Sequence, residues 1–100
     1  MYAIVLDYLV PLERIDEALD AHDAWLDVQY AAGRFLASGR RVPRVGGVIL
    51  AADMPRDELD AMIALDPFAE HALATHQVLE FHPSRIGAAI DGAGPRAAFV

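Results

Sequence analysis

The stretch Pro11–Tyr30, PLERIDEALDAHDAWLDVQY, decides how the rest of the chain must be arranged. At helical spacing Leu12, Ile15, Leu19, His22, Trp25, Leu26 and Gln29 fall on one face, and Glu13, Asp16, Glu17, Asp20, Asp23 and Asp27 on the other. An apolar stripe recurring at i, i+3, i+4 and i+7 predicts an amphipathic helix docked on a core. His22 is the anomaly, a titratable ring inside the stripe between Leu19 and Trp25/Leu26. An unpaired buried polar group costs about 1–3 kcal/mol, so His22 needs a partner.

Working outward, Met1–Val10 predicts a strand, apolar on both alternating faces apart from Asp7. Such a strand belongs to a sheet covered on both sides. Pro11 suits the first turn of the helix, where no N–H is needed. Gly33 is placed to end the helix in a left-handed conformation. Arg34–Ser38 predicts a short strand broken by Gly39, and GRRVPRVGG (Gly39–Gly47) a basic, exposed hairpin loop. Val48–Ala52 predicts the next strand, and Pro55 opens a second helix over Arg56–Ala64 with apolar Leu59, Met62, Ile63 and Leu65. The residue before a proline is driven out of the α region, so Leu65-Asp66-Pro67-Phe68 breaks that helix. Asp66 is then set to cap a short turn, Pro67–Ala72. Thr75–His82 predicts a half-exposed strand stopped by Pro83, and the Gly/Ala-rich remainder an irregular tail in which Ala97–Val100 docks. The domain is expected over residues 1–83 and the tail over 84–100.

The order β α β β α β predicts an α+β, ferredoxin-like fold, one antiparallel four-stranded sheet with both helices on one face. The other face is then apolar and open, which a monomer rarely tolerates. Two sheets packed face to face would bury it, so a homodimer is expected.

The bulk numbers exclude several functions. The chain has 100 residues, 55% of them hydrophobic, enough for one domain with a real core. Its eight basic residues, all arginine, face fifteen acidic ones, a net charge of −7. That balance offers no footprint for phosphate backbones and is repelled by anionic lipid, so neither nucleic acid nor membrane is an expected partner. Without cysteine there are no disulfides, thiol nucleophiles or thiolate metal sites. The longest apolar runs fall far short of the ~20 residues of a membrane span, and no signal peptide is visible. A soluble, cytoplasmic protein is expected.

The chain resembles the YCII-related family. The resemblance is carried by the N-terminal strand, HDAWL at His22–Leu26, Leu36-Ala37-Ser38-Gly39, Gly46-Gly47 before an apolar strand, and above all Leu65-Asp66-Pro67-Phe68. It implies a dimeric ferredoxin-like α/β barrel with a His–Asp pair in a small pocket, in a family some of whose members resemble enzymes of aromatic-compound breakdown. Carried over, the pair is His22 and Asp66, with Ser38 as a pocket neighbour. The chain departs from the family pattern at Ala18, where arginine is frequent, and at Arg40, where proline is frequent. A clamp for a polar substrate is then either missing or replaced by Arg40 or Arg41.

A carboxylate bonded to one ring nitrogen fixes the imidazole tautomer and raises its basicity, leaving the other nitrogen free for acid/base work. Elimination, isomerisation or hydrolysis of a small polar or aromatic metabolite would suit such a pair. Equally, His22 can be a core histidine satisfied by a capping aspartate. The same residues therefore allow a cofactor-free lyase, isomerase or hydrolase, a non-catalytic ligand-binding module, or a structural dimer. Trp25 can stack a substrate ring or simply pack, and the loop arginines can grip an anion or form solvated ion pairs. Asp7 can join the pocket or be solvated. His71, His76 and His82 lack the spacing of a zinc set, so no metal is expected. Gly46-Gly47 is a turn element with no phosphate loop around it.

Overall fold

Alternating Tyr2, Ile4, Leu6 and Tyr8 turn one side of the first strand, β1 (Tyr2–Tyr8), into the floor of the core. The structure, a computed structural model, describes residues 1–91. After β1 come helix α1 (Leu12–Ala31), strands β2 (Phe35–Arg40) and β3 (Gly46–Ala51), helices α2 (Arg56–Ile63) and α3 (Pro67–Glu70), strand β4 (Ala74–Glu80) and a single turn, α4 (Ala88–Asp91). The four strands form one antiparallel sheet in the order β2-β3-β1-β4, a ferredoxin-like α+β arrangement.

The register sorts the side chains. Phe35, Ala51 and Tyr2 share one cross-strand row, Ser38, Ile49, Ile4 and Val78 the next, and Arg40, Gly47, Leu6 and His76 a third. These rows face the helices. Ile15 and Trp25 of α1, Leu59 and Met62 of α2, and Phe68 of α3 close the core above them. The Trp25 indole N–H donates to the Met62 carbonyl (3.1 Å), tying α1 to the C-terminal end of α2, where carbonyls lack helical partners.

Several boundaries differ from the sequence expectation, each for a physical reason. Pro11 and Pro55 are extended residues just outside their helices (ψ 152° and 138°), and their carbonyls accept from Ile15 and Leu59. β2 runs through Gly39 to Arg40 because Gly39 pairs with Val48, so the hairpin loop is shorter than Gly39–Gly47. Leu65, expected on the apolar face of α2, lies past its end and is 67% exposed. Residues 88–91 form a helical turn where irregular chain was expected, and the expected docking of Ala97–Val100 lies outside the described residues. Gly33 does end α1 with a positive φ of 74°, as expected.

Gly46 is in β3 because nothing larger fits. A Cβ there would stand 1.7 Å from the Leu6 carbonyl oxygen, which is backbone and cannot step aside. Gly46→Ala is expected to cost about 2–3 kcal/mol by forcing β3 away from β1. Gly39→Ala, whose Cβ would meet nothing within 4 Å, serves as the control. Equal denaturation midpoints for the two variants would refute the close approach.

Candidate active site

The site is assembled on the break between α2 and β4. Asp66 caps α3, its Oδ1 accepting from the Phe68 N–H (3.0 Å), with Pro67 at the first helical position. The break follows the end of α2, where the carbonyl of Met62, four residues before Asp66, holds Trp25. One turn of α1 before Trp25 is His22, which therefore faces the cap.

His22 Nδ1 lies 2.7 Å from Asp66 Oδ1. An ionised carboxylate only accepts, so the ring donates from Nδ1 and its neutral form carries a bare Nε2. Phe68 stacks on the His22 ring at 4.0 Å with 4° between planes, and Tyr8 meets Phe68 edge-on at 6.0 Å. His22 is 8% exposed and Asp66 fully buried. Among the described residues His22 Nε2 has no partner, and no buried side-chain nitrogen or oxygen is left unpaired. Nε2 therefore opens onto free space.

That space is a cavity of about 450 Å³, within the range of small-molecule sites. Leu6, Leu19 and Phe68 supply apolar wall, and His22, Ser38 and Arg40 polar groups. Asp16 and Asp23 of α1 and Arg44 of the hairpin also line it, and Arg44 donates to Asp16. The Ser38 hydroxyl is 2.7 Å from that of Tyr30. Arg40 has no ion-pair partner among the described residues, whereas Arg41 pairs with Asp7. Asp7 belongs to that exposed ion pair and does not line the cavity.

Asp66 has a further donor that the sequence reading did not assign to it. His76 Nε2 lies 2.8 Å from Asp66 Oδ2, with the His76 side chain 6% exposed. Burial pushes the Asp66 carboxyl up, but hydrogen bonds from His22 and His76, the charge of His22 and the Phe68 N–H outweigh it. The net result holds Asp66 below its usual carboxylate value. The available signal for His76 was its place two residues before Val78 on the inward face of β4. Asp16 and Asp23 were assigned to the solvated face of α1, and their reach to the cavity rim was missed.

The structure thus brings His22, Asp66, Ser38 and Arg40 to one place. Trp25 is different: it packs behind His22 (centroids 5.6 Å apart) and edge-on to Phe35 (5.3 Å), outside the cavity lining. Among the described residues no three His, Asp or Glu side chains are arranged as a metal-ligand set. No described helix is long and apolar enough to cross a membrane.

The fold has a solved counterpart. The chain is similar to 5-chloro-2-hydroxyhydroquinone dehydrochlorinase (TftG) from Burkholderia phenoliruptrix AC1100, whose structure is a complex with 2,5-dihydroxybenzoquinone. The two superpose with a TM-score of 0.68 at 18% identity, over 82% of this chain and 94% of that one. No curated protein sequence matches the chain. Residues 1–82 match the YCII-related domain. The chain belongs to the YCII-related family.

Proposed function

We propose that the chain is a cytoplasmic, homodimeric enzyme that needs no cofactor and uses His22 and Asp66 for acid/base chemistry on a small polar or aromatic metabolite. The observation that carries this reading is His22 Nε2, bare toward a 450 Å³ cavity while Asp66 holds the other ring nitrogen. In the proposed step His22 Nε2 takes a proton from a substrate hydroxyl or acidic C–H. Asp66 stays ionised and stabilises the resulting imidazolium, which in an isomerisation returns the proton to another substrate atom. In an elimination the electron pair left on the substrate expels chloride as the C–Cl bond breaks, and the imidazolium gives its proton to solvent. Arg40 offsets the negative charge left on the substrate oxygen, and Ser38 hydrogen-bonds to it. The apolar wall of Leu6, Leu19 and Phe68 suits a flat ring.

The similarity to a dehydrochlorinase supports trying hydroxylated, chlorinated aromatic rings first, with elimination, isomerisation and hydrolysis all open to a base of this kind. The deciding assay follows chloride release from 5-chloro-2-hydroxyhydroquinone, and ring-proton exchange of unchlorinated hydroquinones in D2O. Wild type and His22→Ala are compared on both. Turnover in the wild type that His22→Ala lacks is expected. Equal rates in the two proteins would overturn the reading.

The dimer rests on a different observation. The sheet face away from the helices carries Ala37, Leu50, Ala3 and Leu79 in one row and Val48 and Val5 in the next. Val48 is 41% and Leu79 48% exposed in the single chain. A second copy applied face to face would remove this apolar surface from water. Sedimentation at micromolar concentration is expected to give twice the chain mass, and Leu79→Glu to give a folded monomer. A monomeric wild type would refute the packing.

A further inference from the structure

We propose that His76 is a positioning residue: by holding the second carboxylate oxygen of Asp66, it fixes which nitrogen of His22 is bare toward the cavity. The inference rests on the acid/base reading of His22 and concerns a residue outside the His22–Asp66 pair.

The division of donors carries it. Asp66 Oδ1 receives both His22 Nδ1–H and the Phe68 N–H, while among the described residues Oδ2 receives only His76 Nε2–H, at 2.8 Å. Asp66 is fully buried, so solvent offers Oδ2 no substitute. A carboxylate with one oxygen unpaired in such a place either takes a proton on that oxygen or turns to share its remaining donors. Both outcomes weaken the acceptor facing His22 Nδ1. The ring then loses its reason to keep the proton on Nδ1, and Nε2 ceases to be a free base. His76 prevents this from the far side of the carboxylate.

The fold makes His76 stiff enough for the task. It sits in β4, in the same cross-strand row as Leu6 of β1, and its donor nitrogen points across the sheet floor to the α3 cap. Its Nδ1 has no partner among the described residues and is not a buried unpaired atom, so it reaches solvent. A neutral His76 therefore keeps its proton on Nε2, where Asp66 needs it, and leaves the Nδ1 lone pair to water. The result is a chain of three groups, His22–Asp66–His76, running from the cavity through the α2–α3 break to β4. A purely structural tie between β4 and α3 would have the same hydrogen bond, but it would not govern the tautomer of His22.

The test is long-range ¹H–¹⁵N correlation spectroscopy of the ¹⁵N-labelled full chain at alkaline pH. In the wild type His22 is expected as the Nδ1–H form and His76 as the Nε2–H form. His76→Gln places an amide N–H near the original Nε2 position and is expected to keep His22 in the Nδ1–H form. His76→Leu removes the donor, and His76→Asn is too short to reach Oδ2. Both are expected to lose the pure Nδ1–H form of His22. A folded His76→Leu or His76→Asn with His22 still wholly Nδ1–H would overturn the proposal. So would wild-type His76 carrying its proton on Nδ1, a result that requires no variant to fold. Failure of the catalytic reading would look different: His22→Ala would keep turnover whatever the tautomers show.

Discussion

Replacing His22 by Ala is expected to lower kcat by roughly 10²–10⁴-fold, the ordinary contribution of a positioned general base. The loss is chemical if the cavity survives, and a matched variant makes that separable. The amide nitrogen of His22→Asn falls near the Nδ1 position, so it can still donate to Asp66 Oδ1. Nothing then occupies the Nε2 position. His22→Asn should keep more of the stability that His22→Ala gives up, yet be as slow. Its KM should stay close to wild type, because Arg40 and Ser38 are untouched. Turnover in His22→Asn within tenfold of wild type would remove His22 from the chemistry.

Asp66→Leu is expected to be the most damaging single change to stability, by about 3–5 kcal/mol, as when one partner of a buried charged pair is removed. Three donors lose their acceptor at once: His22 Nδ1–H, His76 Nε2–H and the Phe68 N–H that begins α3. For a chain of this size each kcal/mol moves Tm by roughly 4–8 °C, so a drop above about 12 °C is expected by calorimetry. A drop under about 5 °C would mean the carboxylate is not the hub that its contacts suggest. The pH dependence has a definite sign. The folded Asp66 carboxyl is held below its usual value, so its stabilisation is fully present above the unfolded value of about 3.9. That stabilisation is lost as pH falls through the lower, folded value. The contribution of the Asp66 carboxylate to the gap in denaturation midpoint between wild type and Asp66→Asn should therefore be intact above about pH 5 and be lost only in stronger acid.

Much of this arrangement was legible in the residues, and what was not has identifiable causes. The 3.6-residue period of Leu12–Gln29 is a strong signal because the helix has one wet and one dry face, and Tyr2–Tyr8 is one because a short run apolar on both alternating faces suits a strand covered on both sides. His22 was visible as a polar residue on the dry face, and Asp66 because Asp-Pro at a helix break announces a cap. His76 was hidden because both faces of β4 mix polar and apolar side chains, Thr75 and Gln77 against His76 and Glu80. Alternation alone could not say which face met the helices. Gly39 looked like a terminator, although a glycine opposite Val48 continues a strand without hindrance. Trp25 shared the His22 face of α1, and only the Met62 carbonyl shows that its ring is turned into the core and away from the cavity.

The four-residue helix α3 is too short to persist alone in water, since an isolated turn fixes several dihedral angles for one hydrogen bond. It is kept by Phe68 in the core and by the Asp66 cap, the same two residues that stack on His22 and bind its ring. Fraying of this turn would therefore release the ring, its acceptor and its stacking partner in one event. His22 would lose its acceptor and its stacking partner together, while Ser38 and Arg40 stayed on β2. Amide exchange at Phe68, which reports that opening directly, would also report the fraction of molecules in which Asp66 and Phe68 hold the His22 ring.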